Sequence, residues 1–258
     1  LNDQEEMTYA IVQSTLDVPD IERLKRAFRA VPTLTDLDAH ILANDAFGIL
    51  VKRKSLEHAR VLLQALRNEG IEAEMVPDQS LPVMPPTKFV RKIACSPEAL
   101  ILHDPLGRPF PLPWEHIMMI AAGNVRMQQF NSVRSVKYSP SVDGHEVEMR
   151  EVEYSTREQT TVQFLLELII SRAALRYTVT VDKPMLHQFL GKDFNRNLEA
   201  SFGMLVRQLA CYAPNAAVNR GAYYLKAGAG EVFFYPSQNA FHEEIIWLLW
   251  RAAQRGRS

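Results

Sequence analysis

Residues 89–127 read FVRKIACSPEALILHDPLGRPFPLPWEHIMMIAAGNVRM. Short apolar runs here alternate with turn chemistry. Ala99 to His103 is a strand by its aliphatic content. Asp104-Pro105-Leu106-Gly107 places proline second and glycine fourth, the pattern of a tight turn. A short strand follows, then Pro113-Trp114-Glu115-His116-Ile117, then the apolar run Ile117 to Met127. The segment is a small β-meander. It carries no catalytic signature, so it speaks to architecture and not to a reaction.

Upstream, strands and helices alternate. Tyr9 to Gln13 is a short β run. Pro19 suits the first turn of a helix whose Ile21, Leu24 and Phe28 share one face, and Pro32 stops it. Thr35 and Asp38 have capping-box spacing ahead of a second short helix marked by Leu37, Ile41 and Leu42. Phe47 to Val51 is a buried strand by its apolar character. Ser55 caps the next helix, Glu57 suits its positive end, and Ala59, Leu62, Leu63 and Leu66 form its inner face. Gly70 ends that helix and Ile71 to Val76 returns as a strand. GILVKRKSLEHARVLLQALRNEGIEAEMV is therefore a β-α-β unit, with its two strands expected to be parallel. PDQSLPVMPPT, residues 77–87, contains four prolines and reads as linker, with residues 79–87 as its bounds.

Downstream of the meander, Asn131 to Gln159 is polar and weakly patterned. It reads as a long mobile insertion with a short strand around Glu146 to Val152. Val162 to Ser171 and Leu175 to Val181 form a hairpin. Asn197 to Tyr212 is a helix with Leu198, Phe202, Leu205, Val206 and Leu209 on one face, ended by Pro214. Ala222 to Leu225 and Val232 to Tyr235 read as two strands around a Gly228-Ala229-Gly230 turn. Ala240 to Arg255 is an apolar helix.

Two resemblances follow. Tyr9 to Val76 resembles half of a ferredoxin-like α/β sandwich. EALILHDPLGRPFPLPWEHIMMI, followed by the later strands and helix, resembles a bacterial pleckstrin-homology-like module, in which Trp114 and Ile117 are packing residues. The expected fold is α+β: a ferredoxin-like domain at residues 7–78, the linker, and a pleckstrin-homology-like β-barrel or meander at residues 88–258. The latter carries an insertion at 131–160 and C-terminal helices. The resemblances imply binding or regulation and bring no assigned activity.

Composition narrows the function classes. The 258 residues are 47% hydrophobic and carry a formal net charge of −1, so bulk attraction to nucleic acid or anionic membrane has no source. Cys95 and Cys211 are far apart and read as reduced intracellular thiols. The N-terminus lacks the basic and apolar regions of a signal peptide, and Met7 is a candidate start. The longest apolar run, Val162 to Ile170, is broken by Gln163 and Glu167, too short to span a bilayer. The expected location is cytoplasmic.

Candidate chemistry is thin. His103-Asp104 and Glu115-His116 match no metal-ligand spacing and read as turn and surface groups. Cys95 and Cys211 lack a local base and read as packing residues. Gly221, Gly228 and Gly230 lack the lysine of a phosphate loop. Lys52-Arg53-Lys54, with Arg91-Lys92, is a candidate anion or nucleic-acid patch, but no interleaved aromatic pair accompanies it. Arg220, Tyr223 and Tyr224 form a polar-aromatic cluster suited to a partner contact or to a turn. Trp247 and Trp250 are candidate partner-binding residues if the last helix is free; if it packs, Trp250 is core and Trp247 half-exposed. No cofactor or metal is implied. The preferred reading is a non-enzymatic binding or regulatory module acting through protein contacts, self-association included. The alternatives are a ligand site or enzyme using His103, His116 or Arg220 between the domains, and a nucleic-acid binder through Lys52 to Lys54.

Overall fold

A computed structural model describes residues 7–32, 34–104, 106–138, 150–171, 174–228 and 233–255, with the backbone alone at 128–138 and 150–159. The chain is α+β. Its first sheet holds β1 (Tyr9–Gln13), β2 (Ile49–Lys54) and β3 (Ala73–Pro77) in the order β2-β1-β3. Both outer strands run antiparallel to β1. The strands of the β-α-β unit are thus parallel to each other, as expected, but β1 lies between them. Helix α1 (Ile21–Arg29), α2 (Asp36–Asp45) and α3 (Leu56–Asn68) cover one face.

Local chemistry sets these bounds. Asp20 caps α1, so Pro19 lies just outside the helix and not in its first turn. Thr35 and Asp38 form a complete capping box on α2. That helix buries Ala39 and Ala43 with Leu42 packed against the same core, and leaves Leu37 and Ile41 exposed. Small residues let α2 lie close to its neighbours. Ser55 caps α3, and Gly70 follows its end at φ +72°.

The second sheet runs β11-β8-β9-β10-β4, from β4 (Thr87–Val90), β8 (Ile117–Tyr138), β9 (Arg150–Ile170), β10 (Leu175–Thr180) and β11 (Ala217–Val218). The short β12 (Phe234–Tyr235) also pairs with β8. A third sheet is the meander of β5 (Ile93–Cys95), β6 (Ala99–His103) and β7 (Pro109–Pro113). The sheets are open, and no barrel closes among the described residues. The meander, α4 (Lys183–Leu190), α5 (Leu198–Tyr212) and α6 (Arg220–Ala227) cover one face of the second sheet. Trp114 sits in that core as expected, stacked on Tyr212 with centroids 4.9 Å apart and donating Nε1–H to the Ser96 carbonyl at 2.9 Å.

Helix α7 (Gln238–Arg255) decides how the parts join. Phe241 and Ile245 pack on the second sheet with Met119, Val125 and Ile169. Ile246, Trp247 and Trp250 pack on the open face of the first sheet against Ala10, Val12, Phe47 and Ile49. A helix apolar on both sides is a buried helix, and α7 is the shared layer between two sheets. Leu81 is buried there too, with Met84 beside it, so the proline-rich segment packs rather than hanging free.

Two further expectations change. The ladder of β8 and β9 is continuous from Ile117↔Ile170 to Tyr138↔Arg150, so residues 131–138 and 150–160 are paired strand and not an irregular insertion. Residues 139–149, where the strand around Glu146 was expected to begin, lie outside the described residues. Ala222 to Leu225 is not a strand but the interior of α6, capped by Asn219 and closed by Gly228 at φ +75°. Tyrosines raise β propensity, yet the asparagine cap and local packing decide the outcome. Of the second expected strand, Phe234–Tyr235 forms β12, and Val232 lies outside the described residues.

Candidate functional site

The expected partner-binding residues divide into two groups. Trp247 is 0% exposed. Its Nε1–H donates to the Gln13 carbonyl at 3.0 Å, and its ring meets Phe47 edge-on at 5.3 Å. Gly48 sits so close that a Cβ there would lie 2.5 Å from the indole. Trp250 is also buried. The expectation of a half-exposed Trp247 is therefore corrected: both tryptophans bind this chain's own first sheet. Tyr223 and Tyr224 are exposed on α6, and Tyr224 stacks on Phe233 at 5.5 Å.

Arg220 is a junction residue. Its Nε donates to Glu244 Oε2 at 2.9 Å, and its guanidinium lies 3.4 Å from the centroid of the Phe47 ring. Phe47 belongs to the first sheet's core and Glu244 to α7, so Arg220 ties α6 to both. Beside it, the buried Asn219 amide pairs with the backbone of Ala122, accepting from its N–H at 2.9 Å and donating to its carbonyl at 3.1 Å. The same amide caps Ala222 N–H at 3.0 Å and donates to the Tyr235 hydroxyl at 2.8 Å. Asn219 thereby continues the ladder that β11 begins on β8. Burial, reinforced by the Glu244 carboxylate, pushes the Tyr235 phenol well above its ordinary value. The buried Asn219 amide and Glu244 carboxylate both find their partners within the chain, which is the signature of a structural lock.

The basic triplet is dispersed. Lys52 pairs with Glu243 of α7 at 2.8 Å, and Lys54 is near enough to Asp38 to lower its carboxyl pKa, after the stronger effect of the Thr35 hydrogen bonds. Arg53 adopts φ +56° with its N–H on Asp78 Oδ2 at 3.0 Å. His103, His116 and Arg220 occupy separate environments: the end of β6, the turn before β8, and the α6–α7 junction. His116 stands 3.5 Å from Glu115. Among the described residues, no three His, Cys, Asp or Glu groups cluster as metal ligands. Burial pushes the Cys95 thiol up to about 12, which leaves it protonated and unreactive at neutral pH.

Sequence reading missed a buried polar network. Glu167 stands in the apolar run of β9 and is 1% exposed. Arg176 Nη1 on β10 donates to both its oxygens at 2.9 Å, Thr178 donates at 3.3 Å, and His242 of α7 lies 3.2 Å away. Thr178 in turn meets Thr87 of β4 at 2.7 Å. The available signal was one glutamate interrupting an aliphatic strand, with Arg and Thr in the next strand at period-two spacing.

This network leads to the outer edge of the sheet. Among the described residues, β4 has a neighbour on one side only. The Arg176 N–H donates to the Pro86 carbonyl at 3.0 Å, and β4 and β10 are parallel with Arg176 opposite Thr87. Strand alternation then turns the backbone groups of Lys88 and Val90 toward β10, and those of Thr87 and Phe89 toward the open edge. Phe89 is 69% exposed there and Phe110 of β7 is 51% exposed. A cleft lies on each side of this edge. On the α7 side, about 620 Å³ is lined by Thr87, Phe89, Gln163, Glu167, Arg176 and Thr178. On the meander side, about 770 Å³ is lined by Lys88, Val90, His103, Arg108, Phe110 and Tyr177. Asp104 borders the second cleft with Arg108 at 2.7 Å, whose backbone N–H and guanidinium hold its carboxyl below the usual range.

No family model, curated protein or solved structure matches the chain significantly.

Proposed function

We propose that the protein is a non-enzymatic binding or regulatory module that works through protein–protein contacts, and that the β4 edge is its contact surface. The observation that carries this reading is the exposed Phe89 on an unpaired sheet edge flanked by two clefts. Unpaired edges invite pairing with another chain, and natural proteins usually shorten or cover them. Large exposed aromatics beside a concave surface are what protein interfaces bury at their centre. The dispersal of His103, His116 and Arg220 gives the enzyme or ligand-site alternative less support, and the pairing of Lys52 does the same for nucleic acid. We read the first sheet with α1 and α3 as ferredoxin-like, because β1 splits the β-α-β unit. We read residues 88–258 as pleckstrin-homology-like, because the meander feeds long antiparallel strands backed by α5. A cytoplasmic setting fits two free cysteines; no described helix is long and apolar enough to cross a membrane.

The test is site-specific photocrosslinking in the cells that make the protein. A benzophenone amino acid is placed at position 89, and at Gln64 on the exposed face of α3 as control. A discrete protein adduct from position 89 alone, reproduced with the purified partner, is expected. Identical adduct patterns from both positions, or none from position 89, would overturn the reading.

A further inference from the structure

We infer that the β4 edge accepts an extended, acidic segment of a partner protein as an added strand; the inference rests on the contact reading above and specifies the partner's chemistry. Three observations converge. The open edge presents the backbone N–H and C=O groups of Thr87 and Phe89, which no globular patch can satisfy as well as another strand. The two clefts lie on opposite faces of the sheet. Thr87 and Thr178, which line the α7-side cleft, alternate along their strands with Lys88 and Tyr177, which line the meander-side cleft. An added strand sends successive side chains to opposite faces, so its alternate residues enter the two clefts in turn.

Charge supplies the third observation. Lys88, Arg91 and Lys92 are exposed along β4 and the turn after it, and among the described residues they have no ion pair. The carboxylate of the meander-side cleft, Asp104, is already held by Arg108. A segment seated here meets Lys88 over an apolar floor of Val90, Leu102 and Phe110, and one that runs on past the end of β4 comes to the exposed Arg91 and Lys92 in the turn that follows. The fitting occupant is an extended peptide alternating aliphatic or aromatic residues with aspartate or glutamate. A nucleic acid answers the cations but offers no ladder for the Phe89 and Thr87 backbone. Lysine on an edge strand also discourages self-pairing, which favours a different, acidic chain over a second copy of this one.

The experiment selects random eight-residue peptides displayed on phage against the full-length chain, then measures synthetic binders by fluorescence anisotropy. The inference expects an acidic and apolar consensus. It expects binding to weaken about tenfold or more when Lys88, Arg91 and Lys92 are all changed to Glu, and to weaken with salt. It also expects a ligand-side signature that needs no protein variant. N-methylation of one alternate set of peptide amides abolishes binding, and methylation of the other set leaves it. Binders with that signature but no acidic preference overturn the charge inference and leave the contact reading intact. Binders indifferent to both methylation sets overturn strand addition. Failure to select any peptide that discriminates the native chain from Phe89→Asp overturns both the inference and the contact reading. Displacement of an acidic binder by a single-stranded DNA oligonucleotide that itself binds tightly overturns the peptide assignment in favour of nucleic acid.

Discussion

Changing Trp247 to Ala distinguishes an interior keystone from a partner anchor. The indole is fully buried between α7 and the first sheet, with Phe47 across it and Gly48 against its face. Truncating a core aromatic costs about 3–5 kcal/mol, and the Gln13 carbonyl loses its donor, about 1–3 kcal/mol more. The sum is of the order of a domain's whole stability, about 5–15 kcal/mol. Trp247→Phe keeps most of the ring volume and loses the donor, so about 2 kcal/mol is expected. Gly48→Ala reaches the same contact from the other side. It places a Cβ at φ +75° and 2.5 Å from the indole, so the left-handed penalty of about 1–2 kcal/mol is joined by displacement of the ring. In a Trp247→Ala background that second part disappears, so the two changes together cost less than their sum. Urea unfolding followed by far-ultraviolet circular dichroism measures each free energy, and sedimentation velocity follows association. A Trp247→Ala chain that unfolds at the native midpoint while losing an oligomeric state would refute the packing argument.

Three other outcomes follow from the same geometry. Glu167→Ala leaves Arg176 unopposed in a nearly buried site and should cost about 3–5 kcal/mol in denaturant unfolding, whereas replacing both residues by Leu and Met should recover much of it. Gly221→Ala should disrupt the α6 junction, because its Cβ would fall 1.9 Å from the Ala122 carbonyl oxygen; Gly228→Ala, at the solvent end of the same helix, should be milder, and thermal melts compare them. Cys95, with its pKa raised by burial to about 12, should resist iodoacetamide at pH 8 while the exposed Cys211 reacts, as read by peptide mass spectrometry. Because the Cys95 folded-state pKa lies above the unfolded one, its contribution to stability is complete below the ordinary thiol range and declines as pH climbs toward 12.

The first half of the chain was legible because its punctuation is local. Thr35, Asp38, Ser55 and Gly70 each satisfy a helix end through a contact within a few residues, so spacing alone reveals them. The meander and the Leu198–Tyr212 helix were legible for the same reason. What escaped is non-local. Residues 131–138 and 150–157 pair with each other, and polar strands paired in this way lack the period-two apolar signal of a buried face. Ala222 to Leu225 carries two tyrosines, yet it turns helical because Asn219 is held by a strand about a hundred residues earlier in the chain. Helix α4 was not expected, although Asp182 and Pro184 supply its cap and first-turn proline. Of the candidate site, only Arg91 and Lys92 stood out beforehand, as part of an anion patch with Lys52 to Lys54; Lys88 and Phe89 did not, because a strand's lack of a neighbour is a property of topology and has no sequence signature. Trp247 was misplaced because the helix pattern shows that a face is apolar and not which sheet receives it.

The position of α7 also sets an order of events during synthesis. The first sheet is complete once Pro77 has been made, but the helix that covers its second face begins only at Gln238. At elongation rates of about 5–20 residues per second, the ribosome takes roughly 8–30 s to cross that interval. Throughout it, Ala10, Val12, Phe47 and Ile49 present an uncovered apolar surface. The first sheet therefore waits for the last helix to cover its second face, and ribosome stalling before Gln238 leaves a sticky, half-faced product suited to chaperones and proteases.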